Sequence, residues 1–250
     1  MTTLTIMLSA CVTTSTGGIE SEKWDKKDRA VLHTRLGIDY MQQGQLETAL
    51  DELDLALRID PSSSDAHLAM ARLDVRLERM GDAESHFAKA VRLNSDNVAA
   101  RNDYGYFLCS NGQFSQGLEQ LTLALNNPFN KTPYVSLYGA AECKRQEGDI
   151  DKAIEYYEQT LALQPDMRPA LRQMAYLNFE RGQYLQARAF IERFFQDQNY
   201  TADSLYLAVR NELKLKRRDV ATEYARLLRA RFPDSNRIDD LRGLFEGLSE

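Results

Sequence analysis

The groups able to do chemistry in this 250-residue chain are few, with three cysteines and three histidines in all. Cys11 closes the stretch LSAC (8–11), and VTTSTGG follows it, polar and glycine-containing. No helix or strand periodicity surrounds Cys11, so it does not read as a core residue. Cys109 and Cys143 stand 34 residues apart, and no C-x-x-C spacing suggests zinc. His86 has neither a cysteine nor paired carboxylates at ligand spacing. The chain holds no G-x-S-x-G, no P-loop and no H-E-x-x-H. Asp51, Glu52 and Asp54 fall beside an apolar helical stripe and read as a solvated face. These residues argue for no active site, so neither catalysis nor a metal or diffusible cofactor is expected.

Whatever Cys11 does, the rest of the chain must be built to serve it. Hydrophobic residues make up 43% and charged residues 27%, an ordinary globular balance with room for one or two domains. The net charge is −6 with both signs interspersed. Nucleic acid is therefore not the expected partner, because phosphate binding needs a basic excess or stripe. No apolar run reaches the ~18 residues of a membrane-spanning helix.

The chain repeats itself. GQLETALDELDLALRIDP (44–61) and GDIDKAIEYYEQTLALQP (148–165) share Gly, an acidic residue, Ala, an apolar stripe and a closing Pro. The small residue early in this segment recurs at Ala49, Ala83, Gly117, Ala153, Ala187 and Ala221, in steps of 34, 34, 36, 34 and 34. Counted from 30, 64, 98, 134, 168 and 202, the eighth residue is Gly37, Ala71, Gly105, Ala141, Ala175 and Val209. Five of these six are small enough for close helix approach. Pro61, Pro165 and Pro233 close their units, and Pro128 comes one residue early. Gly44, Gly112, Gly148 and Gly182 fall between the two helices of a unit, where a left-handed backbone favours glycine.

Over about 30–235 this pattern resembles the tetratricopeptide repeat, a 34-residue helix–turn–helix unit. The resemblance implies an all-α, right-handed α-solenoid of six units, at 30–63, 64–97, 98–131, 134–167, 168–201 and 202–235. Each unit is too small to bury its own apolar stripe, so stacking makes the core. The tail at 236–250, with Ile238, Leu241, Leu244, Phe245 and Leu248 at helical spacing, reads as a capping helix. Gly81 comes three residues late, which predicts a longer first helix in unit two. Two extra residues near Lys131–Pro133 predict a looser joint between units three and four. His33 and His67 share the fourth position of a unit, where the family places a packing residue, and are read so.

In this register Cys109 and Cys143 lie on first helices of neighbouring units. Two readings stay open. They are small buried hydrophobes, or they form a disulfide pinning that joint, which requires an oxidising compartment and Cα atoms within ~7 Å.

LSAC resembles the bacterial lipobox, in which cleavage before the cysteine leaves it to carry lipid. On that resemblance Met1–Ala10 is a truncated lipoprotein signal peptide, lacking the basic start such peptides have. Cys11 becomes the lipidated first residue, with a covalent lipid in place of a cofactor, and 11–29 is a flexible tether. Val12, not Asp, after the cysteine implies sorting to the outer membrane, on its periplasmic face. An accidental LSAC would leave a cytoplasmic scaffold with free thiols.

A lipobox followed by six such repeats resembles the PilF/PilW family of type IV pilus biogenesis and stability lipoproteins. ARNDYGYFLCSNGQFSQGLEQLTLAL (100–125) is the closest segment, with ALRQMAYLNFERGQYLQARAFIERF (170–194) and DPSSSDAHLAMA (60–71) also similar. The resemblance implies a pilotin that binds the pilus secretin subunit and helps it reach the outer membrane and multimerise. Other pilus-assembly proteins are further candidate partners, and no small-molecule substrate is implied. The competing readings are another periplasmic scaffold lipoprotein for envelope assembly, and a docking subunit of an enzyme.

In such a solenoid the first helices make the concave wall, and positions 2, 5, 9 and 12 of each unit face it. These positions supply Arg72, Asn102, Tyr106, Tyr138, Glu142, Arg145, Arg172, Tyr176, Phe179, Tyr206 and Arg210. Tyr and Arg dominate binding hot spots, so this groove, chiefly in units three to five, is the expected partner site.

Overall fold

A computed structural model describes residues 25–246 of the chain. Cys11, the signal segment 1–10, most of the tether and Leu248 lie outside the described residues. All regular structure among the described residues is helical. Six helix pairs follow one another: α1 (Lys26–Gln42) with α2 (Leu46–Ile59), α3 (Ser64–Arg76) with α4 (Met80–Leu93), and α5 (Val98–Ser110) with α6 (Phe114–Leu125). Then come α7 (Pro133–Glu147) with α8 (Ile150–Leu163), α9 (Arg168–Glu180) with α10 (Tyr184–Phe194), and α11 (Ala202–Lys214) with α12 (Arg218–Arg231). Helix α13 (Arg237–Glu246) closes the stack. None of these helices is long and apolar enough to cross a membrane.

Each helix packs most heavily on the partner in its own pair, and each second helix then packs on the first helix of the next pair. This is the α-solenoid that the 34-residue period predicts. The small residues set the spacing within pairs: Ala49, Ala83, Ala153, Ala187 and Ala221 are fully buried. Helix starts are fixed locally. Ser63, Asn97 and Asp149 each accept a backbone N–H of the first turn, and Thr201 with Ser204 forms a reciprocal capping box. Three helix ends are fixed by proline. Asp60, Gln164 and Phe232 leave the helical region because each precedes a proline that crowds the α conformation.

Four expectations need correction. Helix α1 begins at Lys26, inside the segment expected to be tether. Helix α3 is not lengthened by the late Gly81. Its turn is made instead by Glu78, at φ 59°, and Gly81 lies within α4. Glu78 tolerates a conformation that disfavours a side chain by roughly 1–2 kcal/mol, and Lys216 repeats it in unit six at φ 60°.

The joint between units three and four is the opposite of loose. Helices α5 and α7 make the closest approach of any two successive first helices, while α7 and α9 hardly touch. Glycine permits that approach. A Cβ on Gly117 would overlap Cys109 Sγ and the Gly105 carbonyl, and one on Gly139 would meet Leu121 Cδ2 at 2.5 Å. The extra loop is itself tied down. Asn130 Nδ2 donates to the Ala124 carbonyl at 2.8 Å and to Ser136 Oγ at 3.2 Å. Cys109 and Cys143 form a disulfide across the joint, with Cα atoms 5.2 Å apart, packed on Leu121, Phe114 and Leu118.

The histidines, too, do more than fill space. His33 Nδ1 lies 2.6 Å from Glu52 Oε2, across α1 and α2. His67 and His86 meet between α3 and α4 with Nδ1 atoms 2.8 Å apart. His67 Nε2 faces the Pro61 carbonyl at 3.1 Å, so its proton belongs on Nε2 and His86 donates from Nδ1. Burial, more than any charge, lowers both pKa values, that of His67 to about 4.

Candidate functional site: the groove along the first helices

The repeat period decides which side chains can meet. Position 5 of successive units carries Asn102, Tyr138, Arg172 and Tyr206, and position 9 carries Arg72, Tyr106, Glu142, Tyr176 and Arg210. Four residues apart on a helix is one turn, so the two rows run side by side along the stack.

Three of the eleven expected groove residues are not available to a partner. Asn102 is 7% exposed and accepts a hydrogen bond from Ser136 Oγ at 2.7 Å across the tight joint. Glu142 is 3% exposed. Its carboxylate accepts from the Tyr157 hydroxyl and from Arg145 Nη2 at 2.8 Å. Phe179 is 5% exposed, packed on Tyr184 with the Arg210 guanidinium 4.5 Å above its ring. Two others are already engaged. Arg145 holds Glu142, and Arg72 pairs with Asp103 Oδ2 at 2.5 Å, bridging α3 and α5.

The Glu142 cluster is an internal brace between α7 and α8. Burial first, and then the adjacent Glu142 carboxylate, push the Tyr157 and Tyr138 hydroxyls well above the usual tyrosine range. Both rings stay neutral, and Tyr157 remains a donor to the carboxylate. For Arg145 burial is the largest single influence and works against the charge, but the hydrogen bond and charge of Glu142, with Tyr157, together outweigh it and raise the pKa. Such a buried carboxylate is stable only while its partners remain.

Four of the six remaining residues gather at the other end of the molecule. Arg172, Tyr176, Tyr206 and Arg210 line one groove of about 550 Å³ between α9, α11 and the cap. Its floor is apolar, from Ile191, Phe194, Phe195 and Leu207, and its rim adds Asp203 and Arg237. Tyr176 is 48% exposed. Arg210 lies over Phe179 and 5.8 Å from the centre of Tyr206, and Arg237 stands 5.1 Å from the same ring. Arg237 is held by Asp203 at 2.7 Å and Asp240 at 3.1 Å. Arg172 makes no side-chain hydrogen bond or ion pair with any described residue. The groove thus draws on units five and six and the cap, and no residue of units three or four lines it. Tyr106 remains exposed on the earlier stretch, beside the half-buried Tyr138.

Asp203 and Arg237 are the charged groove residues missing from the expected set. Both occupy position 2, and they are 34 residues apart; counting one unit beyond 235 would have found the second.

Relatives of known structure share this architecture. Tetratricopeptide repeat profiles match residues 68–130 and 144–199. Over 234 residues the chain is 30% identical to the type IV pilus assembly protein PilF of Pseudomonas aeruginosa, covering 93% of this chain and 92% of that one. The chain belongs to the PilF/PilW family of tetratricopeptide repeat proteins. The crystal structure of PilW, described as a widely conserved type IV pilus biogenesis factor, aligns with a TM-score of 0.78 at 26% identity. That alignment covers 85% of this chain and 97% of PilW. The Pseudomonas aeruginosa PilF structure also aligns at 0.78, with 27% identity over 87% of this chain and 98% of that one. The fold is one for protein–protein interaction.

Proposed function

We propose that this protein serves type IV pilus biogenesis as a lipoprotein pilotin. It binds the pilus secretin subunit and promotes its outer-membrane localisation and multimerisation. The observation that carries the reading is the near full-length similarity to PilF. In this reading Cys11 carries the lipid, and 12–25 links the anchor to α1. The disulfide suits the oxidising periplasm, where such bonds persist. A membrane-held pilotin raises the effective concentration of captured subunits, which favours ring assembly without new contacts.

The test is the secretin's state in cells lacking the gene, complemented with wild type or Cys11→Ala. Outer-membrane fractions run on unboiled gels should lose secretin multimers in the deletion and regain them with wild type. Cys11→Ala should restore them only in part or at the wrong membrane. Normal multimers in the deletion would remove the pilotin role.

A further inference from the structure

The groove between α9, α11 and α13 has a composition that specifies its occupant. Its charged lining is three arginines against one aspartate, in a chain whose net charge is −6. Two of the arginines are held in place by neighbours: Arg237 by Asp203 and Asp240, and Arg210 by the faces of Phe179 and Tyr206. Arg210 meets its one carboxylate, Glu180, only at 3.9 Å. Arg172 has no partner among the described residues. Register sets Arg172 and Tyr176 one turn apart on α9, and Tyr206 and Arg210 one turn apart on α11, and all four line the groove. The floor beneath them is apolar.

We propose that this groove binds an extended acidic segment of the protein partner. A carboxylate of that segment is received by Arg172 and Arg210, and a neighbouring apolar side chain lies between Tyr176 and Tyr206. The chemistry favours this occupant. A guanidinium already oriented by aromatic faces loses little freedom on binding a carboxylate, and it can donate in a bidentate fork. Tyrosine bodies bury area at low entropic cost. A basic or neutral segment would leave Arg172 uncompensated while covering it, which is costly. The inference deepens the partner-binding reading above and rests on it.

The test is site-specific photo-crosslinking of the full chain in intact cells, with benzoylphenylalanine replacing Tyr176. Mass spectrometry should place the adduct on a partner peptide with Asp or Glu within a few residues of the crosslink. Arg172→Glu should reduce the adduct at least tenfold at unchanged protein level, and reversing the partner's acidic residue to Arg should restore it. A secretin adduct that lacks acidic neighbours, or that survives Arg172→Glu, overturns the acidic-segment proposal but leaves the pilotin reading standing. An acidic adduct on some other envelope protein does the reverse. No adduct, or one to a second copy of this chain, overturns the groove assignment.

Discussion

The joint between α5 and α7 and the groove between α9 and α11 occupy equivalent places in the repeat, yet one is shut and the other open. At the first, glycine stands at 105, 117 and 139, Asn102 is sealed by Ser136, and a disulfide crosses the gap. At the second, position 5 and position 9 carry Arg172, Tyr176, Tyr206 and Arg210, no glycine or disulfide among the described residues draws the first helices together, and α9 and α11 make few contacts. Glycines and a disulfide shut the concave surface in the middle of the solenoid, and towards the C-terminal end it stays open.

That contrast can be broken most severely at the clasp. Replacing Cys109 and Cys143 together by Ala frees a 34-residue loop in the unfolded chain and should cost about 4 kcal/mol. Urea denaturation followed by circular dichroism measures it. A loss well under 1 kcal/mol would mean that the glycines alone close the joint. Gly117→Val should cost about 2 kcal/mol, because the added atoms meet Cys109 and the Gly105 backbone instead of a flexible side-chain end. The same denaturation curves read it.

Acid sharpens the comparison at unit two, well away from the groove. In the folded state His67 is neutral, its pKa lowered from 6.5 to about 4 by burial, and protonation would set two Nδ1–H groups against each other. A histidine with a lowered folded pKa contributes stability above its unfolded pKa that is lost as pH falls from 6.5 towards 4. Asp74 acts oppositely: burial raises its pKa to about 6, so its own contribution falls as pH rises through that range. The difference in urea midpoint between wild type and His67→Gln isolates the histidine. It should shrink steadily from pH 7 to pH 4.5, and a constant difference would show that the pair does not titrate.

The smallest effect on stability is expected in the groove. Tyr176→Ala removes a side chain that is half exposed and should move stability by less than about 0.5 kcal/mol. A larger loss would show that the open region is packing surface after all.

The period of 34 made the solenoid legible, because small residues and prolines recur for reasons of helix approach and helix termination. The start of five of the six first helices lies within one residue of its expected place. Periodicity says which positions face inward; it does not say how near the next helix stands. That is why Asn102, Glu142 and Phe179 read as groove residues and are instead sealed by Ser136, Tyr157 and Arg145, and Tyr184. The turn at Glu78 was hidden for a different reason, since the left-handed position carries no glycine there. Arg237 was legible, but only by carrying the register into the cap.

The central claim is that the partner lies on the open C-terminal groove and not on the clasped middle. Hydrogen–deuterium exchange of the purified full chain, with and without the periplasmic part of the secretin subunit, tests it most directly. New protection confined to α9, α11 and α13, with α5 and α7 unchanged, is the expected result. Protection over α5 and α7 in place of the C-terminal helices, or none anywhere, would contradict it.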